Sequence, residues 1–88
     1  MSWSVELTAQ AEKQLKHLPR NIQKQLQRSV DAMTLDPFAG NVKALQGEQW
    51  KGVYRKRAGN YRILFTADRV RGVATVLTIR ARTEKTYR

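Results

Sequence analysis

The 88-residue chain contains no cysteine and a single histidine, His17. Without cysteine the protein cannot form disulfides or bind a metal through thiolates, so a reducing compartment is its expected environment. His17 is not accompanied by acidic residues or other histidines at ligand spacing, and the sequence therefore gives no support for a metal site. The better interpretation of His17 is a partly exposed side chain near the end of a helix.

The sequence also lacks long apolar runs and the common catalytic motifs. No stretch approaches the roughly 20 apolar residues that a membrane helix requires, and the first residues show no secretory signal pattern. We therefore expect a cytoplasmic protein that does not associate with membranes. There is no P-loop, no G-x-G-x-x-G, no Ser-His-Asp or Cys-His set, and the acidic residues are scattered. Catalysis by two carboxylates has little support, and we expect no cofactor.

Acidic residues are especially scarce in the second half of the chain. Residues 1–49 carry six Lys or Arg and five Asp or Glu, a net charge of +1. Residues 50–88 carry eleven Lys or Arg against two acids, so nine of the ten excess positive charges lie there. Eight of these eleven cations are arginines, whose planar guanidinium suits bidentate contacts with phosphate. A polyanion is the expected partner, and nucleic acid is the first candidate.

The stretch 50–65, WKGVYRKRAGNYRILF, contains a β-hairpin signal at its Gly59-Asn pair. With that pair as the turn, Arg57 is predicted to lie opposite Arg62 on the neighbouring strand. Alternation places both on one face of a sheet together with Arg55. The other face receives the apolar and aromatic residues Tyr54, Tyr61, Ile63 and Phe65.

Opposed arginines on neighbouring strands need an explanation. Like charges directly opposite each other are destabilising, by a few tenths of a kcal/mol and up to about 1. One interpretation is that an anion such as phosphate binds between Arg57 and Arg62. The other is that the cations protect an edge strand from aggregation. The hairpin alone does not discriminate between these two interpretations.

The rest of the chain predicts a single domain over residues 1–88. A short strand around Val5 is followed by a helix with Thr8 as its N-cap and by a second helix that ends before Pro37. Together with the hairpin and a near-continuous apolar strand at residues 73–79, this gives the order β-α-α-β-β-β. We predict an α+β fold, a mainly antiparallel sheet with a helical hairpin on one face.

Residues 36–49 contain two glycines, a proline and an asparagine, and are predicted to form a loop. Within that loop the apolar residues Phe38, Val42 and Leu45 are expected to turn toward the core.

Arginines on a sheet face, a basic tail and Tyr87 are sufficient for one kind of chemistry. RNA carries its own nucleophile, the 2′-OH, and arginines directed at the phosphate supply electrostatic stabilisation of the transition state. A tyrosine can accept or orient the 2′-OH proton if neighbouring cations lower its pKa from about 10. The alternative for Tyr87 is an aromatic residue that packs on the sheet.

Across nearly its whole length the chain resembles the RelE/ParE superfamily of toxins from bacterial and archaeal toxin–antitoxin pairs. The resemblance rests on the element order and on three motifs, which are Leu45-x-Gly47, Tyr54-x-x-Arg57-x-Gly59-x-Tyr61-Arg62-Ile63 and Arg82-x-Glu84-x-x-Tyr87-Arg88. It implies a RelE-like fold. For RelE-type members it implies a ribosome-dependent mRNA endonuclease that cleaves without a metal and inhibits translation. It further implies a RelB-like antitoxin, whose acidic amphipathic segment docks on the arginines.

Carried over by position, the resemblance implies catalytic roles for four residues. Arg62 and Arg82 correspond to phosphate-contacting arginines, and Arg55 to a position that often holds a catalytic lysine. Tyr87 corresponds to a C-terminal tyrosine that handles the 2′-OH. A further set of cations is expected to bind RNA or the ribosome, namely Lys13, Lys16, Lys24, Lys51, Arg57 and Arg80.

Two other functions remain open at this stage. ParE-like relatives bind DNA gyrase and cleave nothing, and they usually lack part of the set Arg55, Arg62, Arg82 and Tyr87. The presence of the full set favours the nuclease. A simple basic module for RNA or DNA binding is the third possibility, but the sequence offers few exposed aromatics on which single-stranded bases could stack.

Overall fold

The structure, a computed structural model, describes residues 2–81. Its elements are β1 Ser4–Leu7, α1 Ala9–Lys16, α2 Arg20–Met33, β2 Val42–Ala44, β3 Val53–Ala58, β4 Tyr61–Asp68 and β5 Val73–Ala81, with a 3-10 turn at Glu48–Trp50. The strands form one sheet in the order β1-β5-β4-β3-β2. β1 is parallel to β5, and each other neighbouring pair is antiparallel. The predicted α+β class and the mainly antiparallel sheet are confirmed.

The helices begin and pack as their sequence patterns indicate. Thr8 caps α1, since its side-chain oxygen accepts a hydrogen bond from the backbone N–H of Ala11 at 3.1 Å. α2 starts directly after Pro19, which has no N–H to leave unsatisfied. Leu26 and Met33 of α2 are fully buried. Truncation of such a residue to alanine costs about 2–5 kcal/mol of stability.

One face of the sheet packs against both helices and forms the core. We call it the helix face, and the opposite side the open face. The buried core residues are Ala11, Leu26, Val30, Met33, Ala58, Ile63, Phe65, Ala74, Val76 and Ile79. β5 lies between β1 and β4, so the apolar segment predicted to be a central strand is one.

An aromatic cluster extends the core at one end of the sheet. The ring of Phe38 packs edge-on against Tyr54, with centroids 5.0 Å apart, and against Trp3 at 6.1 Å. Tyr54 in turn stacks on Phe65 at 5.7 Å. The guanidinium carbon of Arg69 lies 4.4 Å from the centre of the Phe38 ring, a cation–π contact. Phe38 therefore turns inward as predicted and joins the segment after α2 to the sheet.

The predicted loop at residues 36–49 contains a strand, which the sequence prediction missed. β2 pairs with β3, placing Val42 opposite Lys56 and Lys43 opposite Arg55. Three residues are too few to show a period of two, and the pairing is supplied by a strand farther along the chain. The element order thus gains one strand between α2 and the hairpin.

The predicted hairpin has the predicted register. Arg57 lies opposite Arg62, and Arg55 lies opposite Leu64. Gly59 has a φ of 60° whereas Asn60 does not have a positive φ, as in a type II′ turn. A Cβ at this position would meet the side-chain amide of Gln25 on α2, which can move aside, so the positive φ is what requires glycine here.

Neither helix within residues 2–81 is long and apolar enough to cross a membrane. His17 is exposed, and its ring Nδ1 lies 2.7 Å from the backbone oxygen of Lys13. In the same part of the chain, His, Asp and Glu side chains do not gather in groups that could hold a metal ion.

Candidate nucleic-acid interface

Three arginines from three neighbouring strands lie in one row on the open face. Arg57 on β3 is opposite Arg62 on β4, and Arg62 is opposite Arg80 on β5. Directly opposed residues of antiparallel strands project from the same face and have Cα atoms about 5 Å apart. Arg57 is exposed, while Arg62 and Arg80 are half-buried. We call these three residues the arginine row.

A bulge in β5 brings Arg80 into this row. Phe65 pairs with Val76, but the preceding residue Leu64 pairs with Thr78, so Leu77 is the extra residue. A shift of one residue moves every following side chain to the other face. Without the bulge, alternation of side chains from the buried Val76 would place Arg80 on the helix face. The bulge is therefore the local feature that adds Arg80 to the basic surface.

Two polar side chains on or beside α1 hold the bulged segment of β5. β1 ends at Leu7, so within residues 2–81 the outer edge of β5 beyond Val76 has no strand to pair with. The Thr8 hydroxyl donates to the backbone oxygen of Leu77 at 2.8 Å. The Gln14 side-chain oxygen accepts from the backbone N–H of Ile79 at 2.7 Å and from the hydroxyl of Thr78 at 3.1 Å. These side chains replace the missing partner strand.

A second basic pair lies beside the arginine row. Arg55 is half-buried and lies between Leu64 on β4 and Lys43 on β2. Leu64 is completely buried although the register places it on the open face, and Val53 on the same face is 8% exposed. Leu64 and Val53 thus put apolar residues among these cations, and an apolar surrounding of low dielectric constant strengthens the attraction of a cation to an anion.

The opposite end of the open face has a different charge. Glu6 and Asp68 line a shallow cleft of about 330 Å³ together with Arg71. Asp68 is six residues beyond Arg62 on β4, a separation of about 20 Å along the strand. The cations of the hairpin thus lie toward the Gly59 turn, whereas the end beside the turn that joins β4 to β5 has mixed charge, with Arg71 next to the two carboxylates.

Lys56 is the one cation of the hairpin that faces the core. It is 8% exposed, as the alternation predicts, and its ammonium donates to the backbone oxygen of Ala39 at 2.8 Å. Burial lowers the pKa of the Lys56 ammonium from its ordinary value of 10.5, and the negative charge of Asp36 opposes that shift. Lys56 therefore anchors the segment that precedes β2 and is not available to a ligand on the open face.

The remaining predicted cations lie apart from this surface. Lys13 and Lys16 are exposed in the last turn of α1, and Lys24 is exposed on α2. Lys24 lines a groove between the two helices together with the apolar Leu15 and several polar residues. Lys51 is exposed at the start of the segment that leads into β3. The structure thus brings together Arg55, Arg57, Arg62 and Arg80, and leaves the four lysines elsewhere.

Two predicted catalytic residues, Arg82 and Tyr87, lie outside the described residues. Arg80, the second-last residue of β5, precedes Arg82 by two positions in the chain. The two tyrosines within residues 2–81, Tyr54 and Tyr61, share the register of core residues and lie on the helix face. A tyrosine acting on a ligand at the arginine row would therefore have to be Tyr87, whose role stays a prediction.

Sequence analysis missed two residues that matter for this surface. Lys43 was not considered because its strand was predicted to be a loop, and its only signal is the short alternation Val42-Lys-Ala44. Gln14 gave no signal, because its role depends on a contact with a strand 65 residues away. Both act through the tertiary structure rather than through a local motif.

The arrangement can bind a phosphodiester group and stabilise negative charge that develops on it. Guanidinium groups stay protonated at all relevant pH values, so the row is permanently cationic. Each can present a fork of N–H donors to phosphate oxygens. Positively charged groups fixed in this way stabilise a transition state that carries more charge than the ground state. The same permanence makes arginine a poor proton donor, so the row supplies electrostatics rather than acid–base catalysis.

Several solved structures are similar to this chain. The archaeal RelE–RelB complex of Pyrococcus horikoshii OT3 matches with a TM-score of 0.81 and 24% identity, over 97% of this chain and 100% of that one. The toxin–antitoxin complex RelBE2 of Mycobacterium tuberculosis gives 0.83 and 24%, over 93% and 100%. The intact E. coli RelBE complex gives 0.71 and 16%, over 96% and 100%. A search of curated proteins found no match.

These matches define the class of the protein, a small α+β domain with the RelE-like fold. The family model described as the ParE toxin of type II toxin–antitoxin systems, parDE, matches residues 5–85. The chain therefore belongs to that family of toxins, within the RelE/ParE superfamily. The resemblance inferred from the sequence motifs is confirmed.

Proposed function

We propose that this toxin is a ribosome-dependent mRNA endonuclease that cleaves by attack of the RNA 2′-OH on the adjacent phosphate. The observation that carries the proposal is the arginine row, in which Arg57, Arg62 and Arg80 stand side by side with Arg55 next to them. Like charges directly opposite each other are destabilising, and a bound anion offsets that cost. A phosphodiester group is an anion whose oxygens suit the donor geometry of guanidinium groups.

In this mechanism the 2′-oxygen loses its proton and attacks phosphorus while the bond from phosphorus to the 5′-oxygen breaks, which gives a 2′,3′-cyclic phosphate and a 5′-oxygen that takes up a proton. Arg62 and Arg55 contact the phosphate oxygens and stabilise the charge that builds up on them. By resemblance, Arg82 adds a further contact and Tyr87 takes or orients the 2′-OH proton. A tyrosine is suited to that role where neighbouring cations favour its charged form and lower its pKa.

Binding to the ribosome is assigned to cations away from the arginine row. Lys13, Lys16 and Lys24 project from the helices, and Lys51 from the segment before β3. Ribosomal RNA is a dense array of phosphates, so several separate cations can contribute to docking. Arg57 and Arg80 then contact the mRNA itself. In this division the arginine row contacts the substrate while the lysines contact the ribosome.

We propose that the partner in the cell is a cognate antitoxin with an acidic amphipathic segment. The similar structures from P. horikoshii, M. tuberculosis and E. coli are toxin–antitoxin complexes, which supports such a partner. Acidic side chains placed over the arginine row would neutralise it and exclude RNA. Toxin, antitoxin and translating ribosomes would meet in the cytoplasm, the proposed location.

Induction of the protein in growing cells, followed by mapping of mRNA 5′ ends, tests this function. New ends should appear within translated messages and disappear when translation initiation is blocked. Arg62→Ala, Arg82→Ala and Tyr87→Phe should each slow cleavage, by about 10²–10³-fold for an arginine, the effect of one lost transition-state donor. Absence of new ends, together with inhibition of DNA gyrase by the purified protein, would replace this proposal with the ParE-like alternative.

A further inference from the structure

The basic surface continues past the arginine row to the free edge of the sheet. Lys43 lies directly opposite Arg55 and is exposed on the edge strand β2. Together with the arginine row, these two residues form a continuous series over four neighbouring strands. We call the series the cation track, and its members from β5 to β2 are Arg80, Arg62, Arg57, Arg55 and Lys43.

The cation track is wider than a single phosphate site. Neighbouring strands are about 4.8 Å apart, so the backbone positions of Arg80 and Lys43 are separated by three strand spacings, roughly 14 Å. On β3 the cation track passes from Arg57 to Arg55. The neighbour of Arg57 on the β2 side is Asn41, whose backbone oxygen accepts a hydrogen bond from the N–H of Arg57, and Lys43, opposite Arg55, is the first open-face cation of β2. Cations at the two ends are therefore placed to contact different phosphates of one strand.

The charges of the open face also favour one direction for that strand. A polyanion running parallel to the β-strands would leave the arginines and reach a cleft where the carboxylates of Glu6 and Asp68 outnumber the single cation Arg71. Phosphates and carboxylates repel each other, so that path is disfavoured. A path across the β-strands, along the cation track, stays within positive potential over its whole length.

Resting on the proposed function, we infer that the RNA backbone crosses the strands along the cation track and that Lys43 binds a phosphate adjacent to the scissile one. Arg62 and its neighbours hold the scissile phosphate near the centre of the sheet. Lys43 binds the next phosphate toward β2 without touching the reacting atoms. It is a substrate-binding residue, so its loss weakens affinity and leaves the chemical step unchanged.

Lys43 also has a possible structural role that the test must separate from binding. Lysine on an edge strand deters association with strands of other molecules. Lys43→Gln keeps a polar side chain at that edge and removes only the charge, so it preserves this protection. Arg71→Gln is a matched control, because Arg71 is also an exposed cation but lies at the far end of the open face, outside the cation track and away from the helix lysines.

The experiment measures single-turnover cleavage of mRNA on programmed ribosomes at several salt concentrations. Lys43→Gln is expected to raise the protein concentration for half-maximal rate by about two- to five-fold, the range for one exposed ion pair. The slope of log affinity against log salt should fall by about 0.7, the value for one phosphate contact to a single strand. The maximal rate should equal that of wild type, and Arg71→Gln should leave all three quantities unchanged.

A neutral methylphosphonate linkage placed one nucleotide to either side of the cut identifies the phosphate. At one of these positions the linkage should weaken wild-type binding as much as Lys43→Gln does, and combining the two should give no further loss. The inference would be overturned by an unchanged affinity of Lys43→Gln, or by affinity losses from the variant and the linkage that add up at both positions. Cleavage by the wild type would leave the proposed function intact in either case. If the wild type does not cleave at all, the proposed function fails, and this inference fails with it.

Discussion

The side-chain oxygen of Gln14 on α1 accepts a hydrogen bond from the backbone N–H of Ile79 on β5, 2.7 Å away. This bond lies just after the bulge at Leu77 and just before Arg80, at the place where β1 no longer covers the edge of β5. The Gln14 side chain thus supplies a hydrogen bond of the kind that a neighbouring strand would make. In doing so, α1 stabilises the register that puts Arg80 on the open face.

Gln14→Ala is expected to destabilise the fold by about 1–3 kcal/mol. The substitution leaves the N–H of Ile79, a residue that is 6% exposed, without its acceptor. Chemical denaturation measures the effect, with the exposed residue Gln10 changed to Ala as the control, expected within about 0.5 kcal/mol of wild type. Equal stability of the two variants would show that the Gln14 contact does not support β5.

Arg57→Thr is expected to stabilise the free protein by a few tenths of a kcal/mol at low salt. It removes one of two opposed charges and introduces a residue that favours strands. The gain should shrink as salt screens the repulsion between Arg57 and Arg62. Thermal unfolding in low and high salt measures both effects. A loss of stability that does not change with salt would mean that Arg57 is held by favourable contacts in the free protein.

The burial of Lys56 predicts how the stability of the fold depends on pH. Its pKa in the folded protein is lowered by burial, so above that pKa the unfolded chain binds more protons than the folded one. Stability therefore rises with pH as the folded pKa is passed and up to 10.5, the ordinary value for lysine. The unfolding free energy of wild type minus that of Lys56→Met should increase over this alkaline interval. A difference that is constant or falls with pH would contradict the burial of a charged Lys56.

Ribosome docking gives a further test. Changing Lys13, Lys16 and Lys24 together to Ala should weaken binding to ribosomes and reduce its dependence on salt. With fewer phosphate contacts, fewer counterions are released when the toxin binds. The position of cleavage should not change, since these lysines lie on the helices and not on the open face. Sedimentation with ribosomes over a salt titration measures the affinity. Equal affinity for the triple variant and wild type would exclude this surface from docking.

The hairpin was predictable because its determinants are local. The glycine and asparagine of the turn define the register, and alternation then assigns each residue to a face. Arg57 opposite Arg62 and the buried position of Lys56 follow directly from that pattern. The helix start at Thr8 was predictable for the same reason, since a cap interacts only with the next few residues.

Features that depend on distant partners were not predictable in the same way. β2 exists because β3 is available for pairing, and its three residues carry too short a pattern to indicate a strand. The bulge that orients Arg80 is stabilised by Thr8 and Gln14, which are more than 60 residues away in sequence. Arg82 and Tyr87 were assigned by resemblance, and their roles remain predictions because they lie beyond the described part of the chain.

The central claim is that the RNA supplies the nucleophile while arginines on the open face stabilise the charge on the phosphate. Single-turnover cleavage on programmed ribosomes tests it with two substrates, an all-ribose mRNA and the same mRNA with a 2′-deoxy residue at the scissile nucleotide. The wild-type toxin should cut the first and leave the second intact at that position, although both bind. Cleavage of the deoxy substrate at the normal rate would contradict the account.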